Sequence, residues 1–196
     1  MRKLAILTFQ TLDGVMQSPT SLDEDPSGNF SGGGWATNYW DDVMEQVVQE
    51  AMSEPYDLLL GRKTYELFAP NFSNSASDNP VAEILNAATK YVVTSTLSKF
   101  EWSNTKAITG NVVKEIAQLK NQKGNLLQVH GSWQLIQTLL ANDLVDEFRL
   151  WTFPEIVGSG KQLFKRGVTP KSLTLVKSGC SQTGATMSIY RRDHHT

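Results

Sequence analysis

The chain has 196 residues and 40% hydrophobic content, enough for one sizeable core, and we expect a single domain over residues 1–196. Its 18 basic and 20 acidic residues nearly balance, so the net charge does not indicate binding to nucleic acid or to a membrane surface. Cys180 is the only cysteine, which excludes an intramolecular disulfide and argues against a thiolate metal site. With no apolar run near about twenty residues, we expect no membrane span and a cytoplasmic location.

The first predicted elements are a strand and a long loop. Residues 4–9 form a nearly continuous apolar run, typical of a strand covered on both faces. Residues 17–39 are rich in Ser, Gly, Asp and Asn, and a loop of this length in a compact domain is often functional. Its aromatic residues Trp35 and Tyr39, with Trp40 just beyond, either stack on a flat ligand or pin the loop to the body.

A strand that runs directly into a helix is the most informative stretch of the chain. An amphipathic helix over residues 40–54 precedes it, residues 57–60 form the strand, and residues 62–68 have helical apolar spacing. Such a junction can hold an anion on the N–H groups of the first helical turn, and its members are Gly61, Arg62, Lys63 and Thr64. The alternative is an ordinary turn followed by a solvated helix face.

A second junction of the same kind follows later in the chain. Between the two junctions we expect a loop over 69–79, a helix over 81–88, a strand over 90–96, a strand and turn over 106–110, and a helix over 112–120. Residues 126–129 then form a strand, and the His130-Gly131-Ser132 turn leads into a helix that starts at Trp133. In open α/β sheets ligands bind beyond the carboxyl ends of strands, so both turns could face one diphosphate.

The last third of the chain predicts an antiparallel edge. Residues 144–151 form a strand, and the Gly-Ser-Gly-Lys run at 158–161 is a turn, since it lacks the first glycine and the hydroxyl residue of a P-loop. Residues 172–177 and 185–191 alternate polar and apolar around a turn, which indicates a hairpin, and 192–196 form a tail. The predicted fold is a three-layer α/β domain with a mostly parallel central sheet.

Four motifs resemble one superfamily and occur in its order. They are TLDGVM at 11–16, LLLGRKTYE at 58–66, VHGSWQLI at 129–136 and LVDEF through GSGKQLF at 144–164. Together they resemble the dihydrofolate reductase-like superfamily, in its branch related to the C-terminal reductase domain of bifunctional riboflavin-biosynthesis proteins. The resemblance runs from about residue 4 to residue 190.

The resemblance implies a cofactor and its binding residues. Main-chain groups near Phe9 and Met16 would hold the nicotinamide carboxamide, and Thr94 and Ser95 with Arg62 would meet an adenosine 2′-phosphate. The implied cofactor is therefore NADPH, with no metal. The turn residues Gly131, Ser132 and Trp133 would border its diphosphate.

The catalytic assignment is Glu45, the position at which the resemblance places a carboxylate that binds or protonates the substrate ring. The same residue also suits a solvated helix face. The resemblance implies reduction of a C=N or C=O bond in a pyrimidine- or pterin-like heterocycle, and homodimerisation.

Two departures from the family pattern leave the substrate open. His130 stands where a Gly-Gly pair is common, and we expect it to hydrogen-bond to a neighbouring loop. Val129 then replaces the acidic residue that precedes the pair in riboflavin-pathway reductases. The competing function is a ligand-binding or scaffold protein that kept the fold without turnover.

Overall fold

A computed structural model of the chain describes residues 1–51, 53–73, 80–169 and 171–193. Eight strands form one sheet in the order β4-β3-β2-β5-β1-β6-β8-β7. Their bounds are β1 Leu4–Thr11, β2 Tyr56–Gly61, β3 Lys90–Val93, β4 Thr105–Ile108, β5 Leu126–His130, β6 Glu147–Phe153, β7 Leu173–Cys180 and β8 Thr186–Arg192. All pairings are parallel except those of β8 with β6 and with β7, so the predicted C-terminal hairpin is confirmed.

Five helices cover the sheet on both faces, which confirms the three-layer α/β prediction. They are α1 Asp42–Ala51, α2 Arg62–Phe72, α3 Pro80–Ala87, α4 Val112–Asn121 and α5 Trp133–Ala141. Alternate residues of β1 serve the two layers: Leu4 and Ile6 pack with α4 and α5, whereas Leu7 packs on the side of α1. No helix in the described ranges has the length and apolar character needed to cross a membrane.

Several predicted bounds differ from the structure by a few residues, as for β6, which begins at Glu147 and not at 144, and two of the differences have a visible physical reason. The loop predicted for 69–79 begins later, because α2 continues through Pro70 to Phe72, and residues 74–79 lie outside the described part. Proline removes only its own bond to the preceding turn, and packing of Ala69 and Phe72 on the core keeps the last turn helical. The strand predicted for 90–96 ends at Val93, because the hydroxyl of Thr94 accepts from the N–H groups of the two residues that start the next turn.

The C-terminal end of α3 is closed by a buried lysine. Lys90, which is 0% exposed, donates from Nζ to the carbonyl oxygens of Leu85 (2.9 Å), Asn86 (2.9 Å) and Ala88 (2.8 Å). Its ammonium also lies 4.6 Å from the ring centroid of Trp102. A cation at a helix C-terminus satisfies carbonyls that have no partner within the helix.

We predict that Lys90→Met lowers the free energy of unfolding by about 2–4 kcal/mol, because it leaves three carbonyl oxygens without their donor. Urea unfolding followed by circular dichroism measures the change. Lys106→Met, at an exposed position on the neighbouring strand β4, is the matched control and should stay within about 0.5 kcal/mol of the parent. Equal effects of the two substitutions would contradict the assigned role of Lys90.

Candidate functional site

A cleft of about 1190 Å³ opens beyond the carboxyl ends of the parallel strands β1, β2, β3 and β5. The predicted cofactor residues all line it: Phe9, Met16, Gly61, Arg62, Lys63, Thr64, Thr94, Ser95, Gly131, Ser132 and Trp133. Most of them lie where a parallel strand ends, as is general for ligand sites of such sheets, whereas Met16 lies in the loop that follows β1. Their roles toward a cofactor remain predictions.

The two strand-to-helix junctions lie side by side because β2 and β5 are neighbours in the sheet. A hydroxyl of each junction accepts a hydrogen bond from the backbone of the other: Gly61 N–H donates to Ser132 Oγ (2.9 Å), and Ser132 N–H donates to Thr64 Oγ1 (2.9 Å). We call this reciprocal pair the hydroxyl exchange. Consequently both hydroxyl oxygens accept from the backbone within the protein, and each hydroxyl keeps its own O–H to donate to an anion beside the backbone N–H groups.

The first turns of α2 and α5 carry N–H groups with no side-chain cap. Gly61 and Ser132 occupy the two N-cap positions, and neither caps its own helix. Because the first N–H groups of a helix have no partner within it, both helices offer donors and a positive dipole end to the cleft. This arrangement suits a bound diphosphate.

The charged residues at the first junction are partly exposed. Arg62 Nη1 contacts both carboxylate oxygens of Glu66 at 2.9 Å, one turn further along α2, and its side chain is 41% exposed. Lys63 is exposed at the mouth of the cleft, and so is Ser95, which follows the neighbouring strand β3. An exposed pair of this kind is weak, so Arg62 can turn from Glu66 to a phosphate at little cost.

Strand β1 extends beyond its neighbour β5 at the floor of the cleft. The last pair in the β1–β5 register is Leu7 with His130, whereas β1 continues to Thr11. Peptide groups alternate sides along a strand, and Lys3 O accepts from Leu127 on the β5 side. By this alternation the peptide groups of Phe9 face the side that β5 no longer covers, where a flat carboxamide could pair with them.

The carboxylates near the cleft are already engaged, and Glu45 is not among them. Glu45 is exposed on α1, where its Oε1 accepts from Gln49 at 3.5 Å, and it does not line the cleft. Its inward-facing neighbour is Met44, which is 0% exposed. A proton-donor role for Glu45 stays a prediction.

The long loop is held to the rim of the cleft by contacts that the sequence analysis missed. Asp25 pairs with Lys161 Nζ, and Gln17 Oε1 accepts from Lys161 N–H at 3.1 Å. Burial alone would raise the pKa of Asp25, but the hydrogen bonds from Lys161 and Ser27 together with the Lys161 charge outweigh it and hold that pKa below its usual value. Lys161 belongs to the Gly-Ser-Gly-Lys run at 158–161, which we interpreted only as a turn. No local sequence pattern therefore predicted its ion pair with Asp25.

The loop aromatics pin the loop to the body. Trp35 is 7% exposed, and it packs edge-on against Phe153 and donates from Nε1 to Gln17 O at 2.9 Å. Tyr39 packs on the same ring and donates to Glu155 Oε1 at 2.6 Å. Trp40 is 47% exposed beside Phe9 and does not line the cleft. Of the two alternatives, pinning is therefore the one observed for Trp35 and Tyr39.

His130 ends β5 at the inner wall of the cleft. Its Nε2 lies 2.9 Å from Gln128 Nε2 on the same strand, so its partner is not the neighbouring loop that we expected. Gly131 (50°) and Ser132 (53°) both have positive φ angles, the backbone conformation that favours glycine. The replacement of the family's acidic residue by Val129 stays a prediction.

With this geometry in place, the sheet order and the cleft define the class. The architecture is that of the dihydrofolate reductase-like fold: it aligns with a dihydrofolate reductase from Enterococcus faecalis complexed with NADP(H), with TM-score 0.62, 13% identity, and coverage of 97% of this chain and 96% of that one. It also aligns with a pyrimidine reductase-like protein from Corynebacterium diphtheriae, with TM-score 0.66, 10% identity, and coverage of 98% and 92%. Identities this low establish the fold alone.

The profile of the RibD C-terminal domain family matches residues 2–187, and the chain belongs to that reductase-like family. Two Bacillus subtilis (strain 168) proteins are similar in sequence. YyaP is 27% identical over 136 residues (68% of this chain, 72% of YyaP), and YwjB is 25% identical over 158 residues (77% and 83%). A candidate riboflavin biosynthesis protein from Shewanella sp. PV-4 shares the fold, with TM-score 0.66, 21% identity, and coverage of 99% and 100%.

We predict that Thr64→Val and Ser132→Ala each lower the free energy of unfolding by about 1–2 kcal/mol, because each leaves one backbone N–H without its acceptor. The double variant should depart from additivity by about 0.5 kcal/mol or more, since the two bonds share Ser132. Thr109→Val, an exposed threonine on the same cleft wall, is the control and should have little effect. Strict additivity in urea unfolding would contradict coupling of the junctions.

Proposed function

We propose that the protein is an NADPH-dependent reductase of a small flat heterocycle, pyrimidine- or pterin-like, similar to 5-amino-6-(5-phosphoribosylamino)uracil reductase. The observation that carries the proposal is the meeting of two uncapped helix N-termini and the extended edge of β1 in one cleft. The first feature suits a diphosphate and the second a carboxamide. A cleft of about 1190 Å³ is also large enough for a dinucleotide beside a small ring.

In this proposal each wall of the cleft has a separate task toward the cofactor. The N–H groups that open α2 and α5 bind the diphosphate, and Arg62 and Ser95 face the adenosine end. Main-chain groups of Phe9 and Met16 orient the nicotinamide. When bound, NADPH supplies the hydride, and the protein contributes position and exclusion of water.

The preference for NADPH over NADH rests on Arg62. A guanidinium binds a 2′-phosphate through two parallel hydrogen bonds, and its present partner Glu66 is an exposed carboxylate that it can leave. Thr94 can add one hydrogen bond, because its hydroxyl oxygen accepts from Thr96 N–H and Leu97 N–H and leaves its O–H to donate to the phosphate.

A second candidate is a protein that binds nucleotide or ligand without turnover, and one observation favours it. Three carboxylates line the cleft among the described residues, and each has a partner: Glu24 accepts from Thr20, Asp25 pairs with Lys161, and Glu66 binds Arg62. None is poised to protonate a substrate, and Glu45 lies outside the cleft. A reductase with this site would take its proton from water.

We also propose that the protein acts in the cytoplasm as a homodimer that pairs through its sheet edge. Strand β7 is the outermost strand, and nearly all of its side chains are exposed, including Leu175 (51%) and Val176 (45%). An edge strand with exposed apolar residues is a natural pairing surface. Sedimentation of the purified protein would measure its oligomeric state.

The test is a titration of the protein with NADPH and with NADH, followed by tryptophan fluorescence, since Trp133 lines the cleft. We expect tighter binding of NADPH, and about a tenfold loss for Arg62→Ala that leaves NADH binding unchanged. Arg166→Ala, at an exposed arginine outside the cleft, is the matched control and should bind both nucleotides as the parent does.

Two outcomes would redirect the assignment. Binding of neither nucleotide would overturn the cofactor assignment. Tight NADPH binding without NADPH oxidation in the presence of pterins and pyrimidines would favour the binding protein over the reductase.

A further inference from the structure

A row of polar side chains crosses the sheet on the face that α1 covers and ends at the cleft. Arg191 Nε donates to Glu147 Oε2 (2.8 Å), and Arg149 Nε donates to Glu147 Oε1 (2.7 Å). Arg149 Nη1 then donates to Gln128 Oε1 (3.1 Å), and Gln128 meets His130 at 2.9 Å. Apart from Arg191, every member is 9% exposed or less. We call these five residues the polar row.

The chemistry of the row determines the direction of each hydrogen bond. A guanidinium can only donate, so the Gln128 atom that faces Arg149 is the carbonyl oxygen. The amide nitrogen of Gln128 therefore faces His130, and an amide NH₂ can also only donate. It follows that His130 Nε2 accepts and carries no proton.

The surroundings of His130 keep its ring neutral. Burial, and secondarily the nearby Arg149 charge, lower the pKa of His130 to about 4. The other groups around the row are Tyr56, whose ring stacks on His130 at 6.1 Å, and the carboxylates of Glu147 and Glu54, both of which face Arg149. A neutral imidazole has one N–H, and with Nε2 as acceptor that N–H is on Nδ1.

The Nδ1 atom can be reached from the cleft, because it is not among the buried side-chain atoms that have no hydrogen-bond partner. His130 lines the cleft next to Phe68 of α2, whose ring stands edge-on to the imidazole at 6.3 Å. Within the described part of the chain, Gln128 is the one hydrogen-bond partner of the imidazole, and it is used by Nε2. Phe68 lies six residues along α2 from Arg62, about 9 Å from the helix end that suits phosphate. This donor thus lies at the inner wall of the cleft beside Phe68, where a small ring could meet it.

We propose that His130 donates its Nδ1–H to the substrate, and that Gln128 and Arg149 are the positioning residues that hold the ring in this tautomer. The inference rests on the proposed function, in that the ligand beside His130 is a small heterocycle. It narrows the substrate class to heterocycles that place a carbonyl oxygen or an unprotonated ring nitrogen at this position. Analogues with an amino group there bring a second donor and are rejected.

The first test reads the tautomer directly and needs no cofactor. Two-bond proton–nitrogen correlation spectra distinguish Nδ1–H from Nε2–H in a histidine ring, and the His130→Asn variant identifies the signal among the three histidines of the chain. We expect Nδ1–H with no titration between about pH 5 and pH 9. Gln128→Leu should yield a mixture of tautomers, because it removes the donor to Nε2. An Nε2–H signal in the parent protein would overturn the inference.

The second test measures selectivity with a matched pair of probes. Pterin has a carbonyl at ring position 4, and 2,4-diaminopteridine has an amino group at the same place. In the presence of saturating NADPH we expect the parent protein to bind pterin about tenfold more tightly, which corresponds to one neutral hydrogen bond. His130→Leu should reduce this ratio to about one, whereas His130→Asn should retain part of it, because the Asn amide N–H occupies roughly the place of Nδ1–H.

The two tests separate this inference from the proposed function. Failure of NADPH binding with the Nδ1–H tautomer intact would count against the reductase and not against the donor. An equal affinity of the parent protein for both pteridines, or no affinity for either, would overturn the substrate class. A ratio that survives in His130→Leu would assign the selectivity to another residue.

Discussion

The site depends on the hydroxyl exchange between two neighbouring strand-to-helix junctions. Because β2 and β5 are adjacent and parallel, their following helices start at the same edge of the sheet. Thr64 and Ser132 then satisfy each other's junction backbone, which fixes α2 and α5 relative to one another. The donors and dipole ends of both helices consequently face one cleft.

The strands, the helices and the two junctions could be predicted because their signals are local in the sequence. Apolar runs and helical spacing identified the strands, the helices and both junctions, and their adjacency followed from the general rule for parallel sheets. The family resemblance added Phe9 and Met16, which the structure places in the cleft with the junction residues. The main error in the elements, the early end of α2, came from treating Pro70 as a breaker although packing of Ala69 retains the helix there.

Contacts between distant residues could not be predicted in this way. Arg149 and Gln128 are separated by 21 positions, and their bond depends on the side-by-side order of β5, β1 and β6. The ion pair between Asp25 and Lys161 spans 136 positions and joins two segments that each resemble an ordinary loop. Hydrophobic periodicity predicts which face of a strand or helix a residue occupies, but it does not predict which residue it contacts on another strand. Glu45 lies on the exposed side of α1, as the solvated-face alternative has it, and its role toward a substrate is a contact that periodicity does not address.

The left-handed backbone of Ser132, at φ 53° and ψ 46°, affects how this position tolerates substitution. An L-residue loses about 1–2 kcal/mol in this conformation, and the bond that Ser132 Oγ accepts from Gly61 returns about 1 kcal/mol. Replacement of Ser132 by glycine would remove both the strain and the hydrogen bond, so the free energy of unfolding would stay nearly the same. The fold can therefore exchange serine and glycine here almost neutrally, while the mechanical coupling between the two helices changes. A larger side chain would have the strain without the hydroxyl, so the position is permissive for two residue types and restrictive for most others.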